Sequence, residues 1–397
     1  MLVVNPNHRL KTDLAAVEPP LWAGLIASQY EGDEILDAEA LDLTIEQTVA
    51  EAVKSYHQNI VLVVMGNNPS VSSTPKMVIA EELAMRLFNK GKSPLFAGLH
   101  PNAVGTRFEP SKKDACFHIM RTPFLDFPMM PWDKLPMHLY RAHNWHCLDG
   151  SPRSPYASIY TSFGCPFDCY YCNIHALYGD RQVRFRPIKD VLREVDILVS
   201  QYQVRNIKIW DELFALKEDR VLSICSGLKD YDLNIWAYAR LDTVTEKMLK
   251  AMKQGGINWL AYGFESVTDP KFTAKTEEVI KMTRDAGINI MANFMFGLPG
   301  TTQDDDQASL EFAMRHLFEF VNFYEARPYP GSKWYNDVNP VLSWEQYDQY
   351  GSNRMPFREK AFKGYFTNPE YLSMIKKKFG EQGATQIKEM LEDKINA

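Results

Sequence analysis

The sequence predicts an α/β protein with two parallel sheets, and three observations carry that prediction. Strand-like apolar segments alternate with amphipathic helix-like segments, the spacing of parallel strands joined by crossover helices. The alternation is interrupted once, over residues 120–155, by a stretch rich in proline and aromatic residues. The 397 residues suit two domains, and a hydrophobic content of 45% is sufficient for two cores.

The first domain is expected over residues 1–119 as a doubly wound, Rossmann-like parallel sheet. Its predicted strands are 2–4, 34–37, 59–65, 93–97 and 116–119, with helices at 20–27, 44–56 and 75–90 between them. A ligand of such a sheet is expected outside the carboxyl ends of the strands.

The second domain is expected over residues 156–333 as a partial (β/α)6 TIM-type barrel. Its predicted strands are 157–162, 206–210, 234–239, 258–264, 289–296 and 321–326, with helices at 187–202, 217–229, 245–254, 276–285 and 303–319. Six repeats are short of the eight that close a full barrel, so one side is expected to be open. Residues 120–155 are predicted to be a connector that packs between the domains, and residues 334–397 a helical cap.

Three cysteines form the most informative motif. Cys165, Cys169 and Cys172 stand in the run Ser162-Phe-Gly-Cys-Pro-Phe-Asp-Cys-Tyr-Tyr-Cys172, at the end of a predicted strand. A [4Fe–4S] cluster normally takes four thiolates, and this loop supplies three. One iron is thus left for a small chelating ligand. The alternative is a zinc site, which would need a fourth ligand such as His175.

The C-x3-C-x2-C spacing resembles that of the radical S-adenosylmethionine (SAM) superfamily. The resemblance implies that SAM closes the fourth corner of the cluster and that Tyr171 lies against the adenine. Further strand ends resemble the SAM-binding elements of that superfamily in order, and the resemblance covers residues 151–332. The SAM-binding residues that it implies are Tyr171, Asp211, Glu212, Arg240, Glu265, Ser266, Gly297, Leu298, Pro299, Gly300 and Arg327.

The first domain resembles the B12-binding domain that precedes the barrel in cobalamin-dependent, class B-like radical SAM enzymes. The similar segments are 18–24, 66–70 and 97–102. The cobalamin-binding residues that this implies are Asn5, Pro20, Leu21, Gly66, Asn67, Gly98 and His100. The D-x-H-x-x-G sequence of histidine-ligating B12 domains is absent around His8, so no histidine ligand to cobalt is expected. The alternative is a domain that has lost cobalamin and only supports the barrel.

Other cysteines and histidines have simpler interpretations. His143, His146 and Cys147 stand together in the connector, where they could face the cleft as ligands or proton shuttles. Packing in an interface is the more ordinary role and is favoured here. Cys116 and Cys225 are expected to be small core residues.

The resemblance implies an enzyme that cleaves SAM reductively at a [4Fe–4S] cluster and functionalises an unactivated carbon of a small or lipid-like substrate, most often by cobalamin-dependent methyl transfer. A cobalamin-independent epimerase, dehydrogenase, mutase or cyclase is the alternative. A methylthiotransferase acting on RNA would carry further cluster cysteines and a basic module, and neither is evident. A Cys-cluster binding or sensing module without enzymatic activity would leave the strand-end elements unexplained.

Composition sets the expected partners and compartment. A net charge of −6, with both signs interspersed, disfavours a nucleic-acid face. No stretch approaches the roughly 20 apolar residues of a membrane span. Clustered cysteines indicate a reducing compartment, so a cytoplasmic location is expected. An external one-electron donor of the flavodoxin or ferredoxin type is implied by the resemblance.

Overall fold

A computed structural model describes residues 1–8, 13–29, 34–67, 69–104, 118–119, 128–339 and 354–395. Within this part of the chain two parallel sheets are present, so the predicted α/β class is confirmed. Cys116 lies outside the described residues, as does Asn68 in the predicted cobalamin segment. No described helix combines the length and apolar character that crossing a bilayer requires.

The first sheet has five parallel strands in the order β2-β1-β3-β4-β5. The strands are β1 (Leu2–Asn5), β2 (Glu34–Asp37), β3 (Asn59–Val63), β4 (Ser93–Ala97) and β5 (His118–Ile119). The helices are α1 (Leu21–Ser28), α2 (Ile45–Lys54), α3 (Pro69–Asn89) and α4 (Leu99–Val104). The chain order reverses between β1 and β3, which is where doubly wound sheets bind ligands.

Two features of this domain differ from the sequence prediction. α3 begins at Pro69, six residues before the predicted start, and passes through Pro75. α4 was not predicted, because Pro101 within so short a segment suggests a turn. Proline is nevertheless tolerated in the first turn of a helix, where its missing N–H has no intrahelical partner.

The second sheet has six parallel strands in the order β13-β12-β11-β10-β9-β6, and it does not close. The strands are β6 (Tyr156–Ile159), β9 (Asn206–Ile209), β10 (Asn234–Ala239), β11 (Ile257–Glu265), β12 (Asn289–Phe296) and β13 (Phe320–Glu325). β6 is shorter than predicted because Ser162–Phe163 (β7) pairs instead with Arg184–Phe185 (β8) in an antiparallel hairpin.

Helices cover the outer face of this sheet and continue beyond it. They are α5 (His175–Tyr178), α6 (Ile188–Tyr202), α7 (Glu218–Leu228), α8 (Glu246–Gln254), α9 (Thr276–Asp285), α10 (Gln303–His316), α11 (Lys333–Val338), α12 (Met355–Phe366) and α13 (Pro369–Ile395). α10 ends three residues earlier than predicted because Leu317 adopts a left-handed conformation (φ 48°). α13 is broken at Gly380.

The connector closes the amino-terminal end of the sheet. Its short 3-10 helix Asn144–Cys147 places the Trp145 ring 5.1 Å from Trp236, 5.3 Å from Trp259 and 5.4 Å from Phe320. Asn234, at the start of β10, donates a hydrogen bond to the His146 carbonyl (3.0 Å). Residues 144–147 of the connector, called the floor below, therefore close the end of the space inside the curved sheet.

His146 lies in this floor as a neutral base. It is buried, and neither ring nitrogen has a hydrogen-bond partner among the described residues. Burial lowers the pKa of His146 to about 3, and the nearby Lys208 charge acts in the same direction. These surroundings agree with the sequence prediction that His146 packs in an interface.

We expect His146→Phe to reduce the acid sensitivity of the fold. The unfolded chain protonates His146 near pH 6.5, whereas the folded form holds no proton there until about pH 3. The stability that neutral His146 contributes is therefore complete above pH 6.5 and is lost as the pH falls, by about 1.4 kcal/mol per pH unit within that window. Melting temperatures between pH 7 and pH 4 should fall less steeply in His146→Phe than in the parent. His138→Phe, at an exposed position, is the control. An unchanged slope in His146→Phe would contradict the prediction.

The two domains meet through buried polar contacts near α1. Tyr160 donates to the Asn67 carbonyl (3.1 Å), and Asn67 accepts from the Leu21 amide (3.1 Å). Glu18 accepts from the Tyr156 hydroxyl (3.0 Å) and from Lys208 (3.1 Å). These contacts hold the loop after β3 against the open side of the second sheet.

Candidate active site

The cysteine loop begins in a backbone conformation that requires glycine. Gly164 follows β7 with φ +92°, and a Cβ there would lie 2.2 Å from the Gln182 carbonyl oxygen. The Gly164 amide donates to the Glu212 carboxylate (3.0 Å). The start of the loop is thus fixed by the turn before β8 and by Glu212 in the segment after β9.

We expect Gly164→Ala to impair assembly of this loop more than Gly179→Ala does. Both glycines have positive φ, which costs a residue with a side chain about 1–2 kcal/mol. Only Gly164 adds a clash with fixed backbone, because a Cβ on Gly179 meets nothing within 4 Å. Iron bound per chain after anaerobic reconstitution should fall in Gly164→Ala and stay near the parent value in Gly179→Ala. Equal iron content in the two variants would contradict this.

The three cysteines of the loop line one chamber of about 510 Å³. Burial raises the pKa of Cys165 to about 11 and that of Cys172 to about 12. These thiols therefore need bound positive charge to become thiolates at neutral pH, and the irons of a cluster would supply it. Three thiols, with no fourth among the described lining residues, fit a [4Fe–4S] cluster with one iron left for SAM.

The zinc alternative fits less well. Among the described residues, no three His, Cys, Asp or Glu side chains come close enough together to hold a single metal ion. The ring nitrogens of His175 lie 3.2 Å from the Asp180 carbonyl oxygen and 2.7 Å from that of Phe167. A zinc ligand needs a nitrogen lone pair, and each nitrogen here faces another lone pair instead.

Arg240 lies beside the cysteine loop, after β10. Its Nη1 is 3.7 Å from the Cys169 sulfur, and its guanidinium carbon is 3.7 Å from the Phe167 ring centroid. Nε and Nη2 donate to the two oxygens of Asp242, each at 2.8 Å. A guanidinium in this position could bind a carboxylate in the same two-pronged way.

A second cavity, of about 410 Å³, adjoins the chamber on the other side of Tyr171 and Arg240, which line both. Of the predicted SAM residues, Glu212 and Glu265 line the chamber, whereas Ser266, Leu298 and Pro299 line the second cavity. The predicted set is thus brought together around Tyr171 and Arg240, with room on both sides.

The remaining predicted SAM residues do not line these spaces. Asp211 is buried and accepts from the Thr161 amide (2.6 Å) and the Ser162 hydroxyl (2.7 Å), which fixes the chain before the cysteine loop. The Gly297 amide donates to Asp306 (3.1 Å), and Gly300 adopts φ +86° in the same loop. Arg327 pairs with Glu325 at 3.6 Å. Their roles in SAM binding stay predictions.

Sequence reasoning missed much of the chamber lining, including Lys271, Trp145 and Lys208. Lys271 is buried, and its Nζ lies 3.4 Å from Glu265 and 3.3 Å from the Tyr171 hydroxyl. Trp145 and Lys208 line the inner part of the chamber. For Trp145, the aromatic content of the connector was the available signal in the sequence. Lys208 and Lys271 are isolated lysines, and nothing in the sequence around them indicates a role in a site.

The predicted cobalamin residues separate into two groups. Asn5, Pro20, Gly66 and Asn67 line a cavity of about 260 Å³ at the carboxyl ends of β1 and β3. Leu21, Gly98 and His100 are not among its lining residues; the His100 ring lies 6.5 Å from Tyr329, which lines the chamber. His8 is 3.4 Å from Glu39 at the edge of the same cavity. Asn67, His143, Lys208 and Trp210 line both this cavity and the chamber.

The central part of the chain matches a known protein family. Residues 159–313 match the Radical SAM superfamily. This part of the chain is a radical SAM domain, and the chain is an enzyme. It therefore uses SAM and an iron–sulfur cluster. That the loop Cys165–Cys172 holds this cluster stays a prediction.

Relatives of this radical SAM enzyme include several methyltransferases. An uncharacterized methyltransferase of Pyrococcus horikoshii is 26% identical over 87% of this chain and 85% of the relative. The bacteriochlorophyllide d C-12(1)-methyltransferase of Chlorobaculum tepidum is 20% identical over 88% of this chain and 81% of its own.

The fold is similar to that of TsrM, a radical SAM methyltransferase from Kitasatospora setae solved with tryptophan substrate and a SAM analogue. The TM-score is 0.62 at 15% identity, covering 85% of this chain and 75% of TsrM. A second TsrM structure holds cobalamin and a [4Fe–4S] cluster (TM-score 0.61, 16% identity). At this identity the likeness establishes the fold, which includes both domains.

Proposed function

We propose that this radical SAM enzyme is a cobalamin-dependent methyltransferase that acts on an unactivated carbon of a small substrate. One observation carries the proposal: the cysteine loop and the ligand-binding edge of the first sheet open on adjoining cavities. Asn67 from the loop after β3 lines the chamber that holds Cys165, Cys169 and Cys172. The relatives named as methyltransferases and the cobalamin-bound TsrM structure support it.

When bound, the cluster with SAM supplies a carbon-centred radical, and cobalamin supplies a methyl group. The residues of the chain would do the positioning. Cys165, Cys169 and Cys172 would hold the cluster, and Arg240 with Tyr171 would orient SAM. Gly66, Asn67 and Pro20 would border the corrinoid, while Trp145 and Trp236 close the chamber against water.

The residues at the first sheet fit a large flat ligand in two respects. The cavity edge at Gly66 has no side chain to obstruct close approach. The Asn67 side chain accepts from the Leu21 amide and donates to the Pro19 carbonyl (2.7 Å), so contacts within the protein already fix this edge of the cavity. A preformed edge of this kind reduces the ordering that binding requires.

The test is the corrinoid content and methyl transfer of protein purified anaerobically from B12-replete cells. We expect near-stoichiometric corrinoid and, with SAM carrying a deuterated methyl group, deuterated methylcobalamin by mass spectrometry. Gly66→Val should lower the corrinoid content and leave iron unchanged, and Gly91→Ala, in the turn before β4, should change neither. Good iron–sulfur loading with no corrinoid, even after added hydroxocobalamin, would overturn the cobalamin assignment and leave hydrogen abstraction without methyl transfer.

A further inference from the structure

A lysine lies at the inner end of the chamber, surrounded by aromatic rings. Lys208 Nζ is 2.8 Å from the centroid of the Trp210 ring and 4.1 Å from that of Trp236. The side chain is only 3% exposed, yet it lines both the chamber and the adjoining cavity. Burying an ammonium group costs several kcal/mol unless it is compensated. A lysine kept in such a place therefore needs an explanation.

The protein compensates this charge only in part. Nζ donates one hydrogen bond, to Glu18 at 3.1 Å, out of three that an ammonium group can make. The other N–H groups have π-faces as neighbours, which stabilise a cation but accept hydrogen bonds weakly. Glu18 lines the adjoining cavity and not the chamber, so the chamber side of Lys208 has no carboxylate partner among the described residues.

The arginine and the other lysine of the described chamber lining are paired with carboxylates at its opposite end. Arg240 is bound to Asp242, and Lys271 to Glu265 and Asp269, all at or after the carboxyl ends of the strands. Lys208 lies within β9, on the level of Trp236. Between Lys208 at one end and Arg240 with Lys271 at the other, the chamber wall includes apolar and amide side chains. Met291, Ala261, Asn293 and Asn322 are among these lining residues.

We infer that the substrate has a compact apolar or aromatic body and a carboxylate, and that Lys208 binds this carboxylate in the aromatic box. The inference rests on the proposed function, in that it takes the chamber for the substrate site. An aromatic box with no resident charge favours a cationic ligand, but here the protein itself supplies the cation, so a second one is repelled. The burial that lowers the pKa of Lys208 to about 7 also strengthens its attraction for an anion, because little water screens it.

Lys208 would act as a binding residue and not as a reactant. An acid group held at the inner end leaves the apolar body of the substrate between Lys208 and the cysteine loop. The carbon that reacts would then be remote from the carboxylate. This geometry selects molecules by the distance between their acid group and their reactive C–H bond.

The test is binding of matched probes to the full-length, cluster-reconstituted enzyme, measured anaerobically by calorimetry. For each of three bodies (phenyl, phenylethyl and indolylethyl) the carboxylate, the neutral amide and the amine are compared. We expect the carboxylate of at least one body to bind ten times more tightly than its amide and amine. Lys208→Met should abolish this preference. Lys217→Met, which removes a lysine over the Phe185 ring outside the chamber, should retain it.

Two controls keep the outcome decisive. Glu18→Gln combined with Lys208→Met removes both charges, so a folded variant is available if Lys208→Met alone is unstable. If Lys208 only ties the domains together, the variants lower the melting temperature and leave probe binding unchanged, which overturns the inference. So does the lack of any carboxylate preference, including no binding. Corrinoid content is measured on the same preparations, so a failure of the methyltransferase proposal is separately visible.

Discussion

Replacing Cys172 by alanine is expected to reduce bound iron to background and to abolish reductive SAM cleavage. On the proposed assignment, the cluster would take all three thiolates of the loop, because its fourth iron would be left for SAM. Cys172 lines the chamber, and its amide bonds to the Cys169 carbonyl (3.1 Å), so its position is set by the loop itself. Apart from Cys165 and Cys169, no thiol among the described residues lines the chamber to replace it. The measurements are iron and sulfide per chain and 5′-deoxyadenosine formation under dithionite.

Cys225→Ala is the matched control for this variant. Cys225 is a buried thiol on α7, remote from the chamber lining. Its removal should leave iron content and SAM cleavage at the parent level, with a modest loss of stability from the small cavity. If Cys172→Ala retained a full cluster, the assignment of the loop would be wrong.

The second large effect is expected at Glu194, where Glu194→Gln should lower the melting temperature by at least about 6 °C. Glu194 is buried on α6 and pairs with Arg186, which is also buried. It further accepts from the Trp132 indole N–H (2.9 Å) and the Met130 amide (3.4 Å), both in the connector. Breaking a buried pair from one side costs about 3–5 kcal/mol because the other charge stays uncompensated, and 1 kcal/mol shifts a domain of this size by about 2–4 °C.

Glu246→Gln makes the same chemical change in an exposed pair. Glu246 and Lys250 on α8 are each 65% exposed, and surface pairs of this kind contribute little. Its melting temperature should match that of the parent. Limited proteolysis should also cut the connector of Glu194→Gln faster, because its anchor to the barrel is lost. Equal melting temperatures for the two variants would contradict the prediction.

The parts of the fold that depend on local periodicity were predictable. Buried parallel strands such as Asn289–Phe296 are largely apolar, whereas the helices between them show apolar residues at helical spacing, so the alternation is visible in the sequence. The proximity of the three cysteines was predictable for a different local reason, since Cys165, Cys169 and Cys172 lie within eight residues.

What was missed depends on contacts between distant parts of the chain. Glu18 and Lys208 are 190 residues apart, and nothing local to either indicates that they form a pair. Trp145 was assigned to a packing connector, but its position under the sheet follows from how residues 144–147 fill an end that six strands leave open. Glu265 adopts a left-handed conformation (φ +60°) that its residue type does not suggest. Side-chain pairs that form only when distant segments meet in the folded chain cannot be predicted from the spacing of residues within a motif.

If the chamber is the substrate site, as proposed, the floor formed by residues 144–147 is a separable determinant of substrate size. The cofactor-binding groups proposed here come from strand ends and from the loop after β3, whereas Trp145 sets how deep the chamber is. Exchange of one short segment between homologues would therefore alter which molecules fit while the radical-generating machinery stays intact. Substitutions in this segment could therefore be used to change the substrate preference of the enzyme. Natural variation in the same segment would leave the cysteine loop unchanged.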